Sequence, residues 1–233
     1  MNNFISGPNA VLEALEENIK ILQIYLCSGI QNPKASNIKQ IARKKGIRIN
    51  DINKSDLEKL AGRKTQGIVA IVPEFKYSQI DSIKGERVLA LDSVKDPQNL
   101  GACIRSAAAF GVREIIITKH KSASVTPAVW KASAGQVGKV KIVRVTSLAN
   151  ALDYLKKENY FVVGTNANAK SKISDNPFRD EKLIIVMGSE DKGISRLVLE
   201  KCDIVSSIPM SGNVESLNIS VSAAIALYEL SKK

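Results

Sequence analysis

Short unbroken apolar runs alternate with longer amphipathic stretches along almost the whole chain. In the first 75 residues, ILQIYLCS (21–28) and GIVAIVPEF (67–75) read as strands. NAVLEALEE (9–17), KASNIKQIARKK (34–45) and KSDLEKLAG (54–62) repeat apolar residues at spacings of three and four, which predicts helices. KYSQIDSIKGER (76–87) then loses periodicity and gains turn and charged residues, so it reads as a linker. From residue 88 the runs VLALDSV, EIIIT, KIVRV, YFVVGT, KLIIVMG and IVSSIPM follow, with helix-like segments between most of them. Continuous apolar strands alternating with helices imply a mostly parallel sheet covered on both faces. The expectation is an α/β protein with a small domain (1–75), a linker (76–87) and a second α/β domain (88–233). The longest polar interruption, residues 166–182, is expected to be exposed.

With 233 residues, 44% of them hydrophobic, the chain can bury a real core. Its 34 Lys and Arg against 23 Asp and Glu give a net charge of +11. That excess suits a polyanion such as RNA, DNA or anionic lipid, although a merely basic surface would look the same. Residues 34–64 hold ten of these cations against three acids, either a phosphate footprint or a solvated helix face. Few aromatics lie there, which favours contact with folded RNA through shape and phosphate over base stacking.

Cys27, Cys103 and Cys202 follow no metal-ligand spacing, and His120 is the single histidine. A metal site or a His-based triad is therefore not expected. The cysteines read as small buried apolar groups in a reducing compartment, and His120 as a solvated loop residue. No apolar run approaches the ~20 residues of a membrane span, and the start of the chain does not read as a signal peptide. The expectation is a soluble cytoplasmic protein.

Sheets of this kind bind ligands beyond the carboxyl ends of their strands. Three strand exits there are unusually polar or glycine-containing: residues 92–111, 187–195 and 208–220. None matches G-x-G-x-x-G or G-x-x-x-x-G-K-[ST], which disfavours a pyrophosphate cradle and a nicotinamide oxidoreductase. A ligand without phosphates, such as S-adenosylmethionine (SAM), is compatible. Each loop also has an ordinary reading. Asp96-Pro97 suits a turn, Asn99 a helix cap, Gly188 and Gly193 tight turns, and Ser216 or Asn218 a cap on the last helix.

Taken together, NLGACIR (99–105), GSEDKG (188–193) and IPM…SLNISVSAA (208–224) resemble the three motifs of the SpoU (TrmH-like) family of SAM-dependent RNA 2′-O-ribose methyltransferases. The resemblance covers essentially the full length and is nearest to the bacterial 23S rRNA guanosine-2′-O-methyltransferases. It implies an L30e-like substrate-binding domain before the linker. It also implies a SPOUT-type α/β methyltransferase domain with a C-terminal trefoil knot, working as a homodimer without metal. By that resemblance, Gly188, Ile208, Met210 and Leu217 would hold SAM. Asn99, Arg105, Glu190, Ser216 and Asn218 fall on catalytic positions.

Within that frame, Arg105 is expected to clamp a phosphate and position the 2′-hydroxyl, with Asn99 accepting a hydrogen bond from it. Gly101, Ala102, Ala108 and Ala109, three and four residues away, would clear space for RNA. An ion pair between Arg105 and an acid such as Glu190 is the structural alternative. The chain departs from the family pattern at Thr65, where a histidine is common, and at Gly138, where an acid is common. Lys141 replaces a proline and Asp191 a glycine. A tRNA methyltransferase and a non-catalytic RNA-binding protein on the same fold stay open as alternatives.

Overall fold

The computed structural model describes residues 3–16, 19–61, 65–189, 191–212 and 216–231. The chain separates into two compact units, one formed by residues 1–76 and 125–138, the other by 77–124 and 139–233.

Unit 1 runs β1 (Asn3–Ser6), α1 (Pro8–Glu16), β2 (Gln23–Cys27), α2 (Pro33–Lys44), β3 (Arg48–Ile52), α3 (Lys54–Ala61) and β4 (Ile68–Val72). Its sheet has the order β1-β4-β2-β3, with only the β2–β3 pair parallel. β4 is buried on both faces. Ile68, Ala70 and Val72 pack with α1 and α2, whereas Val69 and Ile71 pack with Leu57 of α3. β1 and β3 escape the hydrophobic pattern because both are edge strands, and β3 (RINDI) holds no fully buried residue. α2 starts at Asn32, whose side chain accepts from the Lys34 amide at 2.9 Å, with Pro33 beginning the helix.

Unit 2 begins with β5 (Arg87–Leu91), α4 (Pro97–Ala109) and β6 (Glu114–Thr118). Residues 125–138, carrying α5 (Pro127–Ala132), belong to unit 1, where Lys131 pairs with Glu13 at 3.2 Å. Unit 2 resumes with β7 (Lys141–Val145), α6 (Leu148–Lys156), β8 (Tyr160–Thr165) and β9 (Ser171–Lys172). It closes with β10 (Lys182–Met187), α7 (Arg196–Leu199), β11 (Ile204–Ser207) and α8 (Ile219–Ser231). Its seven strands lie in the order β7-β6-β5-β10-β8-β11-β9, all parallel. Val88, Ala90, Ile184 and Val186 face the α6 side, while α4 and α8 pack against each other.

Two stretches differ from the sequence reading. Residues 77–87 fold onto unit 2: Ile83 is buried, and Glu114 accepts from the amides of Lys84 and Gly85. Residues 166–182 are not simply exposed, because Ile173 and Asn176 are buried and Phe178 stacks on Phe161 at 4.2 Å. Isolated apolar residues in a polar stretch carry no periodicity, so their burial was invisible in the pattern. The cysteines also divide: Cys103 is buried, but Cys27 and Cys202 are half-buried.

Candidate active site

From β5 the chain steps outward through β6 and β7, then returns to build β8, β10 and β11 on the other side. The switch falls between β5 and β10, where sheets of this type open a crevice at their carboxyl ends. Loops leaving β8, β10 and β11 surround a cavity of about 290 Å³ there. That is near the lower bound, roughly 300 Å³, of small-molecule pockets. A second cavity of about 100 Å³ adjoins it, lined by Ser93–Asp96, Asn99 and Asp191, and the two share Ser189 and Ile219.

Gly188, Ile208, Met210, Ser216 and Leu217 all line the larger cavity, although they come from two separate loops. Thr165, Asn166 and Ala167, at the exit of β8, line it too. The sequence reading missed these three because that exit carries neither a glycine nor a motif. The available signal was position alone, at the carboxyl end of a predicted central strand.

The loop after β10 folds back on itself. Ser189 and Gly193 exchange backbone hydrogen bonds of 3.0 and 2.8 Å, and Gly193 has φ +63°. A Cβ on Gly188 would lie 2.0 Å from the Gly193 carbonyl carbon and 2.1 Å from the Ile194 nitrogen. Only glycine fits there. Asp191, where the family pattern has a glycine, is exposed, and its carboxylate lies 3.9 Å from the Lys95 Nζ. Glu190 lies outside the described residues.

The loop after β5 leads into α4 through Asp96, whose carboxylate caps the helix by accepting from the Gln98 amide at 3.0 Å, with Pro97 in the first turn. Asn99 is thus inside the first turn and is not the cap. Its Oδ1 accepts from Asn218 Nδ2 at 3.1 Å, not from Arg105. Asn218 in turn caps α8: its Oδ1 accepts from the Ser220 amide at 2.8 Å and from the Ser220 hydroxyl at 2.6 Å.

Arg105 lies six residues beyond Asn99, about 9 Å along the helix at 1.5 Å per residue. It is exposed and makes no hydrogen bond or ion pair with a described residue. Its small neighbours divide, with Gly101 and Ala108 buried in the packed face of α4 and Ala102 and Ala109 beside it on the open side. Half of the small residues therefore serve helix packing.

The remaining departures have local causes. A Cβ on Gly138 would meet the Trp130 ring at 2.9 Å, so an acid there would require that ring to shift. Lys141 donates from its backbone to Arg113 O at 2.8 Å, a bond proline would lose, and its Nζ reaches Glu114 at 3.1 Å. Thr65 is buried, and its carbonyl accepts from the Ile68 amide in the turn before β4.

Burial, and secondarily the Asp203 charge, pushes the Cys202 thiol up to about 11. At neutral pH it is no thiolate nucleophile. Among the described residues, no three His, Cys, Asp or Glu side chains gather as metal ligands. No described helix is long and apolar enough to cross a membrane.

Residues 86–228 match the SpoU rRNA Methylase family, and residues 4–78 match the RNA 2′-O ribose methyltransferase substrate binding family. A putative TrmH family tRNA/rRNA methyltransferase, YacO of Bacillus subtilis (strain 168), is 35% identical over all of this chain and 96% of its own. A counterpart in Staphylococcus haemolyticus (strain JCSC1435) is 38% identical over 98% of this chain and 95% of its own. Among solved structures, the SpoU methyltransferase AviRb from Streptomyces viridochromogenes, in complex with the cofactor AdoMet, shares the fold. Its TM-score is 0.72 at 23% identity, over 99% of this chain and 89% of its own.

Proposed function

Because the chain belongs to the SpoU rRNA methylase family, we propose that it moves a methyl group from SAM to a ribose 2′-hydroxyl of RNA, with a guanosine of 23S rRNA as the target. The observation that carries this reading is the convergence of Gly188, Ile208, Met210, Ser216 and Leu217 on one cavity at the carboxyl end of the sheet.

The lining fits an adenosyl compound. It is made of apolar side chains, hydroxyls and loop backbone, and among the described residues Lys192 is its single charged side chain. A pyrophosphate would call for more cationic or amide donors. When bound, SAM supplies a methyl group already activated on a sulfonium, so the protein's work is alignment and removal of one hydroxyl proton.

The Asn99–Asn218 pair, beside the smaller cavity, is placed to orient the ribose against the cofactor pocket. Arg105 lies farther along the same helix, with an open surface around it. Its guanidinium carries five donors and no acceptor, so it is a poor base. A planar fork of donors is well suited to holding a phosphate and thereby the 2′-hydroxyl.

Unit 1 supplies the electrostatic grip on RNA. Lys39, Arg43, Lys44 and Arg48, on α2 and β3, make no ion pair with a described residue, and all but the half-buried Lys39 are exposed. Lys54 and Lys59 pair with local acids on α3. Dimerisation of this cytoplasmic enzyme falls to α4 and α8. Val221 and Tyr228 are exposed apolar residues seven apart on α8, and the Tyr228 ring meets Phe110 at the end of α4.

Mapping 2′-O-methylation in total RNA from cells with and without the gene tests the reading. Loss of one 23S guanosine methylation is the expected result. Loss of a tRNA site would redirect the substrate. Purified protein that binds SAM but methylates no RNA would reduce it to a binding protein.

A further inference from the structure

We infer that Asp92 is a positioning residue that holds the two ends of the cofactor-side loop after β10, Gly188–Ser189 and Gly193–Ile194, in their working shape before SAM arrives. The inference rests on the proposed SAM site and names a residue outside it. Asp92 follows β5 directly, and its side chain is buried, 4% exposed. Its backbone amide donates to Met187 O at 2.8 Å, at the start of the loop. Its Oδ2 accepts from the Ser195 amide at 2.8 Å, at the loop's end. One residue therefore grips both ends of a loop about a hundred positions further along the chain. Its Oδ1 accepts from the Ser93 hydroxyl at 3.0 Å, and Ser93 itself has φ +72°, a costly conformation for a residue other than glycine.

Chemistry explains the residue type. A carboxylate is acceptor-only, so both oxygens suit the donors that face them. A hydrogen bond to a charged acceptor is about twice as strong as a neutral one. Removing it leaves the Ser195 amide without this acceptor and frees the loop end that carries Gly193 and Ile194 over Gly188. The wall of the larger cavity then loses its fixed shape.

Hydrogen exchange of the whole protein, together with calorimetric SAM titration, tests this on three variants. Asp92→Ala should speed exchange of the Ser195 amide and weaken SAM binding by about tenfold or more. Asp92→Asn, whose amide oxygen accepts the same bond while its NH2 group faces the Ser93 hydroxyl, should recover affinity to within about threefold. Ser195→Pro removes the donor from the other side at a residue whose φ is already −64°, and should weaken SAM as Asp92→Ala does.

Unchanged Ser195 protection and SAM affinity in Asp92→Ala overturn the inference, as does an Asp92→Asn variant no better than the alanine. If Asp92→Ala does not fold, the contrast between Asp92→Asn and Ser195→Pro decides alone. A wild-type protein that takes up no SAM sinks the functional reading, whereas Ser195 exchange still tests the grip on the loop.

Discussion

Asn218 Nδ2 donates to Asn99 Oδ1 across 3.1 Å, joining two residues 119 positions apart. The contact uses opposite ends of one side chain for different tasks, since Asn218 Oδ1 caps α8 through Ser220. The two tasks are separable by mutation. Asn218→Asp keeps an oxygen for the cap but turns a second oxygen toward Asn99 Oδ1. It should hold the melting temperature near wild type while methyl transfer falls by about tenfold or more. Asn218→Ala should lose the cap as well, at about 1 kcal/mol of stability. Paired melting and methyl-transfer assays check both, and an active Asp variant would remove the pair from the mechanism.

Arg105→Ala should abolish turnover with little change in SAM affinity, because the side chain lies on the open face of α4 and does not line the larger cavity. Arg105→Lys should rescue poorly, since a point charge does not reproduce a planar fork. Single-turnover kinetics beside SAM titration separates the two effects. A lysine variant with wild-type turnover contradicts the phosphate clamp.

Replacing Lys39, Arg43 and Lys44 by Gln should raise the RNA KM and flatten the salt dependence of RNA binding, by roughly one unit of log–log slope per lost phosphate contact. Lys45 belongs to the same sequence run but must be spared, because its Nζ donates to Leu15 O at the end of α1. Lys45→Ala should lower the stability of unit 1 instead. Filter binding across a salt series reads the slope, and an unchanged slope in the triple variant makes the run a solvated surface.

Gly188→Ala should disrupt the loop after β10, because its Cβ would meet backbone and not a movable side chain. The expected result is SAM binding weakened by more than about tenfold, with the sheet still folded. Calorimetry and circular dichroism test it together, and near-normal SAM affinity would show that the loop can open without cost.

How far the sequence could be read follows from which forces leave local traces. The parallel sheet of unit 2 was legible because β5, β6 and β10 are buried on both faces and so appear as unbroken apolar runs. Edge strand β3 left no such trace. The motifs marked Gly188, Ile208, Met210, Ser216 and Leu217, and the structure gathers them around one cavity. Partnerships were not legible. Asn99 and Arg105 share α4 without being neighbours on it, and the donor to Asn99 Oδ1 comes from the far end of the chain. The part played by Lys45 was equally hidden, because charge counting cannot distinguish a lysine facing solvent from one bonded to a carbonyl.

Both clasps around the cavity, Asp92 with Ser195 and Asn99 with Asn218, bridge more than a hundred positions of chain. During synthesis, β5 and α4 leave the ribosome long before either partner exists. A chain released only as far as α4 holds one half of each clasp and has no finished pocket. Competence therefore arrives in one step, when α8 is released and closes against α4. The pocket is thus the last part of the protein to take shape, although its first wall is laid down at β5.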